Sequence, residues 1–316
     1  MIENNKLNLL QMSEIQLQQV NWLWYPYIPF GKITMIQGDP GEGKTTLALQ
    51  IAAACSAGRF PAAEPFPVIY QSAEDGLGDT VKPRLMAADA DEANIFCIDE
   101  GDTPLTLLDA RLEEAILQTG AKLLILDPVQ GYLKDGTDMN RANDVRRHMK
   151  FLSAVAERTG CSVILVGHLN KAQGVSSSYR GLGSIDFRAA VRSILLVGRM
   201  KKDKKVRVIV HDKSSLAPEG SSLAFSLEDG FQWLDGFGEI TAEQLLSGGT
   251  ADGKTEQARQ LILDMLSDGH AVPCNDILAA AQQKQISERT VKEAKKNIGT
   301  VRSRREGNGW VWYLEP

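Results

Sequence analysis

The sequence predicts an α/β protein with a mostly parallel sheet, an antiparallel extension of that sheet, and a small helical unit near the carboxyl end. Three observations predict this class. Short apolar runs alternate with amphipathic stretches between residues 33 and 166, as expected for parallel strands covered by helices. Four strand-like runs follow residue 192 without helices between them. Residues 254–316 contain three helical patterns and a hairpin pattern.

Taken in order, the elements follow from local patterning. Continuous apolar runs indicate strands buried on both faces, and apolar residues at helical spacing indicate amphipathic helices. The expected parallel strands are 33–36, 68–70, 93–98, 123–126 and 161–166, with helices at 47–54, 107–117 and 140–159. The expected antiparallel strands are 193–197, 205–210, 222–227 and 231–234. The C-terminal helices are expected at 255–266, 274–283 and 287–297, before hairpin strands at 301–305 and 310–314.

The composition predicts how these elements are divided into domains. The chain has 316 residues, which is enough for one large or two unequal domains. Residues 1–19 are polar and are expected to form a loose arm, and residues 20–246 are expected to form the main domain. The Gly-rich segment 247–253 reads as a flexible linker to the small domain at 254–316. The aromatic residues of 20–30 could pack in the core, line a base pocket or dock on a neighbouring subunit.

Charge and cysteine usage indicate a cytoplasmic protein. The net charge is −5, so any nucleic-acid contact must come from local patches. No apolar run is long enough for a membrane helix and the amino terminus has no signal-peptide pattern, which predicts no membrane contact. The cysteines fit no metal spacing and are expected to be reduced, buried thiols: Cys55, Cys97, Cys161 and Cys274.

The most specific motif is a phosphate-binding loop. Residues 38–45 read Gly-Asp-Pro-Gly-Glu-Gly-Lys-Thr, which matches GxxxxGK[ST] between a predicted strand and a predicted helix. Backbone N–H groups and the helix dipole would hold phosphates, Lys44 would reach the β- and γ-phosphates, and Thr45 would hold Mg²⁺. A chance glycine-rich turn is the alternative. The predicted nucleotide contacts are Gly38, Asp39, Pro40, Gly41, Glu42, Gly43, Lys44, Thr45 and Thr46.

Three further polar positions follow predicted strands, where ligands of open α/β sheets bind. Asp127 could hold Mg²⁺ through water, or it could be only a turn acid. Glu74 could activate the attacking water, with Asp75 as a helper or bystander, or both could be surface-loop acids. His168 could contact the γ-phosphate, or it could be structural.

The ordered set of motifs GDPGEGKT, SAED, LLILDP, ILVGHLNK and YRGLGSIDFRAAVRS resembles RecA-like P-loop ATPases over about residues 20–235. It is most similar to AAA-type hexameric replicative helicases of the RepA kind, found on plasmids, phages and other mobile elements. The resemblance implies ATP and Mg²⁺ as cofactors and a RecA-like P-loop NTPase core. It also implies that Glu74 is the catalytic glutamate, Asp127 the Walker B acid and His168 the γ-phosphate sensor.

Relatives in this group form rings in which a finger residue from the next subunit completes each ATP site, so the resemblance implies a hexameric homo-oligomer. Lys213 is the first finger candidate and Arg207 the second. The segment departs from the Lys-Asn-Arg finger of other relatives, and solvated charges are the alternative for both residues.

Two loops and the C-terminal tail are candidates for DNA contact. In RecA-like rings the loops after the Walker B and sensor strands line the central channel; here they carry Lys134 and Arg141, and Lys171 and Arg180. Ordinary mobile loops are the alternative. From residue 284 onward eight basic residues face four acids, a local charge of 8 − 4 = +4. The predicted tail contacts are Arg289, Lys292, Lys296, Arg302, Arg304 and Arg305.

The tail resembles the winged helix-turn-helix domains of related mobile-element ATPases, which implies DNA binding, although winged helices also dock proteins. Trp310 and Trp312 alternate with Val311, which favours packing of both indoles beneath the hairpin over stacking on bases.

Together these features predict a DNA-dependent ATPase, such as a ring-forming helicase or a recombination motor. An ATP-switched DNA-binding regulator or a helicase loader is the alternative. A small-molecule kinase is disfavoured by the winged-helix tail and the finger candidates, and no acceptor-substrate lid is evident.

Overall fold

The computed structural model describes residues 9–133, 142–169, 185–200, 203–247, 250–307 and 309–315. Among these residues, no helix combines the length and apolar character needed to cross a membrane. Residues 9–20 are exposed along their whole length and include one 3₁₀ turn, Met12–Glu14.

Fourteen strands form three sheets in the described part of the chain. A two-stranded sheet pairs β1 (Trp22–Trp24) with β2 (Ile28–Pro29). The strands of the main sheet are β3 (Ile33–Gly38), β4 (Val68–Ser72), β5 (Ile95–Phe96), β6 (Leu123–Asp127), β7 (Ser162–His168), β8 (Ser193–Arg199), β9 (Val206–Ser214), β10 (Leu223–Ser226) and β11 (Gln232–Leu234). The third sheet contains β12 (Val272–Pro273), β13 (Val301–Glu306) and β14 (Gly309–Leu314).

The main sheet confirms the predicted α/β class. Its strand order is β11-β10-β9-β8-β3-β7-β6-β4-β5. β3 runs parallel to both β7 and β8, and β6 runs parallel to both β4 and β7. The predicted antiparallel extension is also confirmed, because β10 pairs antiparallel with β9 and β11. Every residue of β3 and β6 is buried, as expected for strands covered on both faces.

Nine α-helices lie in the described part of the chain: α1 (Lys44–Ser56), α2 (Lys82–Ala87), α3 (Arg111–Thr119), α4 (Ala142–Thr159), α5 (Ile185–Ala190), α6 (Ala242–Ser247), α7 (Thr250–Leu266), α8 (Cys274–Gln283) and α9 (Glu288–Ile298). α4 buries Val145, Met149, Leu152 and Val155 at three- and four-residue intervals, so one stripe of the helix packs in the core. Gly120 caps the carboxyl end of α3, and its φ of 69° places it in the left-handed conformation typical of a helix C-cap.

Several predicted boundaries differ from the structure. The strand expected at 93–98 is reduced to β5, because a 3₁₀ turn occupies Glu92–Asn94. The helix expected from residue 107 begins at Arg111. α6 ends at Ser247 and α7 begins at Thr250, so the predicted linker at 247–253 is helical at both ends. Glycine costs a helix about 1 kcal/mol relative to alanine, and packing of the later turns of α7 against its neighbours overrides this local preference.

The residues group into two compact units. Among described residues, the first unit contains 9–133, 142–169, 185–197 and 211–221, and the second contains 198–200, 203–210 and most of the chain after 221. Within the first unit, Trp24 and Tyr27 are buried, which confirms core packing for these two aromatic residues, whereas Tyr25 is exposed. The predicted domain division remains a prediction.

Within the second unit, α7, α8, α9 and the β12-β14-β13 sheet share a separate hydrophobic cluster. Ala258, Ile262, Ile277, Val291 and Trp312 belong to this cluster. The side chain of Ser287 caps α9 by accepting a hydrogen bond from the Thr290 backbone N–H at 3.2 Å.

Three burial predictions are not met, those for Trp310, Cys97 and Cys274, of which Cys274 is half-buried. Trp312 is buried, but Trp310 is 59% exposed, because it lies beside the hairpin turn at the open end of β14. Cys97 is exposed, because it follows the short edge strand β5, whereas Cys55 and Cys161 are buried.

Candidate active site

The carboxyl ends of four parallel strands meet at one edge of the sheet and carry most of the predicted nucleotide site. In the pairing of β3 with β7, Gly38 lies opposite His168. In the pairing of β4 with β6, Ser72 lies opposite Asp127. Glu74 is two residues after Ser72 in the chain. The fold therefore brings the phosphate loop, both candidate acids and the histidine to one edge, as the sequence predicted.

The phosphate loop has the backbone that its glycines permit. Gly41 and Gly43 have φ values of 78° and 92°, a region that residues with a Cβ rarely adopt. A Cβ at Gly38 would overlap the carbonyl oxygen of Val197, so only glycine fits at the end of β3. The loop leads directly into α1, which begins at Lys44 and aims its amino-terminal N–H groups at the loop.

Lys44 lies inside this loop with only 4% of its surface exposed. Its Nζ donates a hydrogen bond to the carbonyl oxygen of Asp39 at 2.8 Å. Burial lowers the pKa of the Lys44 ammonium, while the nearby carboxylates of Asp127, Asp39, Glu42 and Glu74 act in the opposite direction. The loop therefore encloses a cation that could pair with phosphate oxygens.

Asp127 is the buried acid of the site, with 5% of its surface exposed. Tyr70 donates its hydroxyl hydrogen to Asp127 Oδ2 at 2.8 Å. Burial raises the pKa of Asp127, and hydrogen bonds from Tyr70 and Thr45 together with the charge of Lys44 oppose that rise. A carboxylate beside the Thr45 hydroxyl is the oxygen donor set that Mg²⁺ uses in phosphate-loop proteins, so the residues present fit magnesium and a triphosphate.

Glu74 and Asp75 lie in different surroundings although they are adjacent. Glu74 is exposed, and its charge opposes the lowering of the pKa of both Lys44 and His168. Asp75 is half-buried and accepts an ion pair from Arg84 Nη1 at 2.9 Å. The charge of Asp75 in turn raises the pKa of Asp127, so the Arg84 ion pair is what distinguishes Asp75 from Glu74.

His168 ends β7 and is half-buried. Its Nδ1 is buried and has no hydrogen-bond partner among the described residues. Burial and the nearby Lys44 charge lower the pKa of His168, so the ring is neutral near pH 7. A neutral imidazole with an unsatisfied nitrogen at the loop could hydrogen-bond a terminal phosphate or its bound water.

Tyr70 has a role in this site that the sequence analysis did not assign. It is 2% exposed, and burial together with the Asp127 charge raises the pKa of its hydroxyl, which stays protonated as a donor. Nothing in the sequence marks this tyrosine, because its reach to Asp127 depends on the register of β4 against β6.

The two finger candidates are engaged within the chain. Lys213 Nζ donates to the carbonyl oxygens of Arg188 at 2.5 Å and Val191 at 2.8 Å, at the carboxyl end of α5. Arg207 lies on β9, where its Nη1 donates to the Lys205 carbonyl oxygen at 3.2 Å.

The predicted DNA contacts divide into two groups. Lys134, Arg141, Lys171 and Arg180 lie outside the described residues. All six tail residues are exposed on α9 or β13. Three of the six form ion pairs within the chain: Lys292 with Glu288 at 2.6 Å, Arg302 with Glu315 at 2.7 Å, and Arg304 with Glu306 at 3.4 Å.

Comparison with known proteins agrees with this geometry. Residues 6–174, more than half of the chain, match a family described as an AAA domain. The chain belongs to this AAA domain family. Its fold is that of RecA-like P-loop ATPases, as the strand order and the phosphate loop indicate.

Curated relatives include RecA proteins. That of Synechocystis is 26% identical over 52% of this chain and 47% of its own length. That of Brucella anthropi is 25% identical over 73% of this chain and 64% of its own length. The chain therefore spans less than two thirds of these relatives.

Solved structures with the same fold include the ATPase domain of G40P and a DnaB-like replicative helicase, each with a TM-score of 0.51 and 16% identity. The match to G40P covers 65% of this chain and 85% of that one; the match to the DnaB-like protein covers 66% and 58%. A KaiC-like protein from Pyrococcus horikoshii matches 66% of this chain and 91% of its own, with a TM-score of 0.50 and 16% identity.

Proposed function

We propose that this chain hydrolyses ATP to ADP and phosphate and that DNA binding controls its turnover. The observation that carries the proposal is the buried Asp127 carboxylate, which lies among Tyr70, Thr45 and Lys44 where the phosphate loop meets the sheet. A buried acid beside a buried lysine and a glycine-rich anion cradle has a clear use in binding a metal–triphosphate complex.

In this proposal each residue has one task. The loop N–H groups and Lys44 bind the phosphates, and Thr45 and Asp127 hold Mg²⁺. When bound, the metal ion would neutralise charge that develops on the phosphate oxygens. Glu74 orients water and accepts its proton, and His168 senses the terminal phosphate through the nitrogen left without a partner among the described residues.

The DNA-dependent part of the proposal draws on three kinds of support. Relatives are RecA proteins, and one structural neighbour is a DnaB-like replicative helicase. The tail from residue 284 onward carries a charge of 8 − 4 = +4 in a chain of net charge −5. The arrangement of α7, α8, α9 and the β13–β14 hairpin suits a winged helix. We therefore favour a ring-forming helicase or recombination motor of a mobile element, with single-stranded DNA in a central channel.

Steady-state ATP hydrolysis with and without single-stranded DNA, at low and moderate salt, tests this function. A motor should show strong stimulation that fades as salt rises, because phosphate contacts release counterions. ATP hydrolysis that is absent even with Mg²⁺ and DNA would refute the proposal.

A second function, an ATP-switched regulator or helicase loader, is favoured by the position of Lys213. Its ammonium is held by two carbonyl groups of its own chain, whereas a motor needs a cation free to reach the neighbouring site. Slow hydrolysis that DNA does not accelerate, together with ATP-dependent assembly in sedimentation, would favour this function.

A further inference from the structure

One face of the β13–β14 hairpin is buried at one end and exposed at the other. Val301, Trp312 and Leu314 of this face pack on or against the hydrophobic cluster of α7, α8 and α9. Trp310 lies two residues before Trp312 on β14, so it belongs to the same face, one step closer to the hairpin turn. The cluster therefore covers one end of this face and leaves the other end open.

Lys295 of α9 marks the limit of the covered part. Its Nζ lies 4.4 Å from the centre of the Trp312 ring and also hydrogen-bonds Ser303 Oγ, the cross-strand neighbour of Trp312. Burial lowers the pKa of Lys295. Lys295 thus places a cation on the indole at this part of the face.

The next cross-strand pair consists of Arg305 and Trp310. Arg305 is exposed, and Trp310 has 59% of its surface exposed. A tryptophan buries about 150–250 Å² when it is covered, so an exposed indole is a large apolar surface beside a guanidinium. In contrast to Arg302 and Arg304 on the same strand, Arg305 forms no ion pair with a described residue.

We propose that Arg305 and Trp310 form a binding site for an unpaired base of a single-stranded nucleic acid. The indole offers a face on which any base can stack, and Arg305 offers a cation to the adjacent phosphate. Bases within a duplex have both faces occupied by stacking, so the site selects single strands, ends or opened junctions. The inference rests on the proposed DNA-binding function and adds a specific site to it.

The charge of the surrounding segment decides between a nucleic acid and a protein as the ligand. Tryptophan and arginine are also frequent anchors at protein interfaces. Here, however, the tail from residue 284 has a charge of 8 − 4 = +4, and the exposed Arg289 and Lys296 of α9 form no ion pair with a described residue. A polyanion suits this surface best.

Fluorescence anisotropy with the full chain tests the site. The probes are a labelled single-stranded oligonucleotide, an abasic strand of the same length and a duplex. Trp310→Ala should weaken binding of the base-containing strand about tenfold, and Arg305→Ala should weaken it by a similar or smaller factor. Trp310→Phe should stay within about threefold of wild type, because phenylalanine keeps a stacking face. Trp310→Ala should bind the abasic strand and the duplex as wild type does.

The matched control is Trp233→Ala, which removes another tryptophan, 46% exposed, from β11. It should leave all three affinities unchanged, and thermal melting should report folded protein for every variant. Equal binding of the base-containing strand by wild type and Trp310→Ala would overturn the stacking site while leaving DNA binding itself in place. Loss of self-association or of a protein partner in Trp310→Ala, with DNA affinity unchanged, would also overturn it. Failure of wild type to bind any probe would refute the proposed DNA-binding function as well.

Discussion

Charged side chains cluster both at the phosphate-loop edge of the main sheet and on the C-terminal helix α9 with strand β13. The central charges are buried in the first region, and most charges are exposed in the second. At the loop edge, Lys44 and Asp127 are 4% and 5% exposed and converge. On α9 and β13, the basic side chains other than the half-buried Lys295 are exposed, and three of them are paired with acids nearby in sequence or across the hairpin. Buried charges are strongly coupled and intolerant of change, whereas exposed ones act through their sum and are screened by salt. This difference predicts the order of mutational effects.

The largest effect is expected at Lys44. Lys44→Ala removes a buried cation whose charge opposes the rise in the pKa of Asp127. ATP hydrolysis should fall by about a hundredfold or more, because a preorganised charge at the phosphates is lost. Measurements of nucleotide binding and turnover check this, with Lys32→Ala as control, since Lys32 pairs with Glu157 at 2.8 Å before β3. Normal turnover in Lys44→Ala would remove the loop from the mechanism.

Glu74→Gln separates binding from chemistry. The amide cannot accept a proton from water, so turnover should fall by about 10²–10⁴-fold while nucleotide affinity stays near wild type. Single-turnover kinetics with a parallel binding titration make the measurement. Asp75→Asn is the matched control, because Asp75 is already paired with Arg84 and should cost far less. Equal losses in the two variants would argue against Glu74 as the base.

Tyr70→Phe tests the buried hydrogen bond that the Tyr70 hydroxyl donates to the Asp127 carboxylate. Losing this donor removes about 1 kcal/mol of stabilisation from the Asp127 carboxylate and raises the pKa of that group further. The Mg²⁺ concentration for half-maximal hydrolysis should rise several-fold, most strongly at low pH, where protonation of Asp127 competes with the metal. An unchanged magnesium titration at every pH would show that Tyr70 only fills space.

The smallest effect is expected in the exposed tail. Glu288→Gln frees Lys292, whose ammonium lies 2.6 Å from the Glu288 carboxylate, and should strengthen DNA binding about twofold at low salt. Glu293→Gln changes the net charge equally without opening that ion pair and is the matched control. If both variants gain the same affinity, the pair itself contributes nothing and only net charge counts.

The sequence predicted which residues lie at the strand ends better than it predicted which tail side chains are buried, because these two features are encoded differently. The loop spans residues 38–45 and is local, and Asp127 and His168 each follow a continuous apolar strand. Parallel strands bring such ends to one edge, so local patterns suffice to place these residues together. The predicted burial of Trp310 was wrong, because a local sequence pattern does not indicate how far along the hairpin the neighbouring helix extends.

By itself, then, the sequence determined the class of the sheet, its antiparallel extension, the phosphate loop and the acid and histidine at the strand ends. Hydrophobic periodicity and glycine conformation act over a few residues, and these features need nothing more. Tertiary structure alone decided that Tyr70 reaches Asp127, that Lys213 binds the end of α5, and that Trp310 stays open beside Arg305. These contacts depend on strand register and on how far one element extends over its neighbour. Packing among many residues that are distant in sequence determines both.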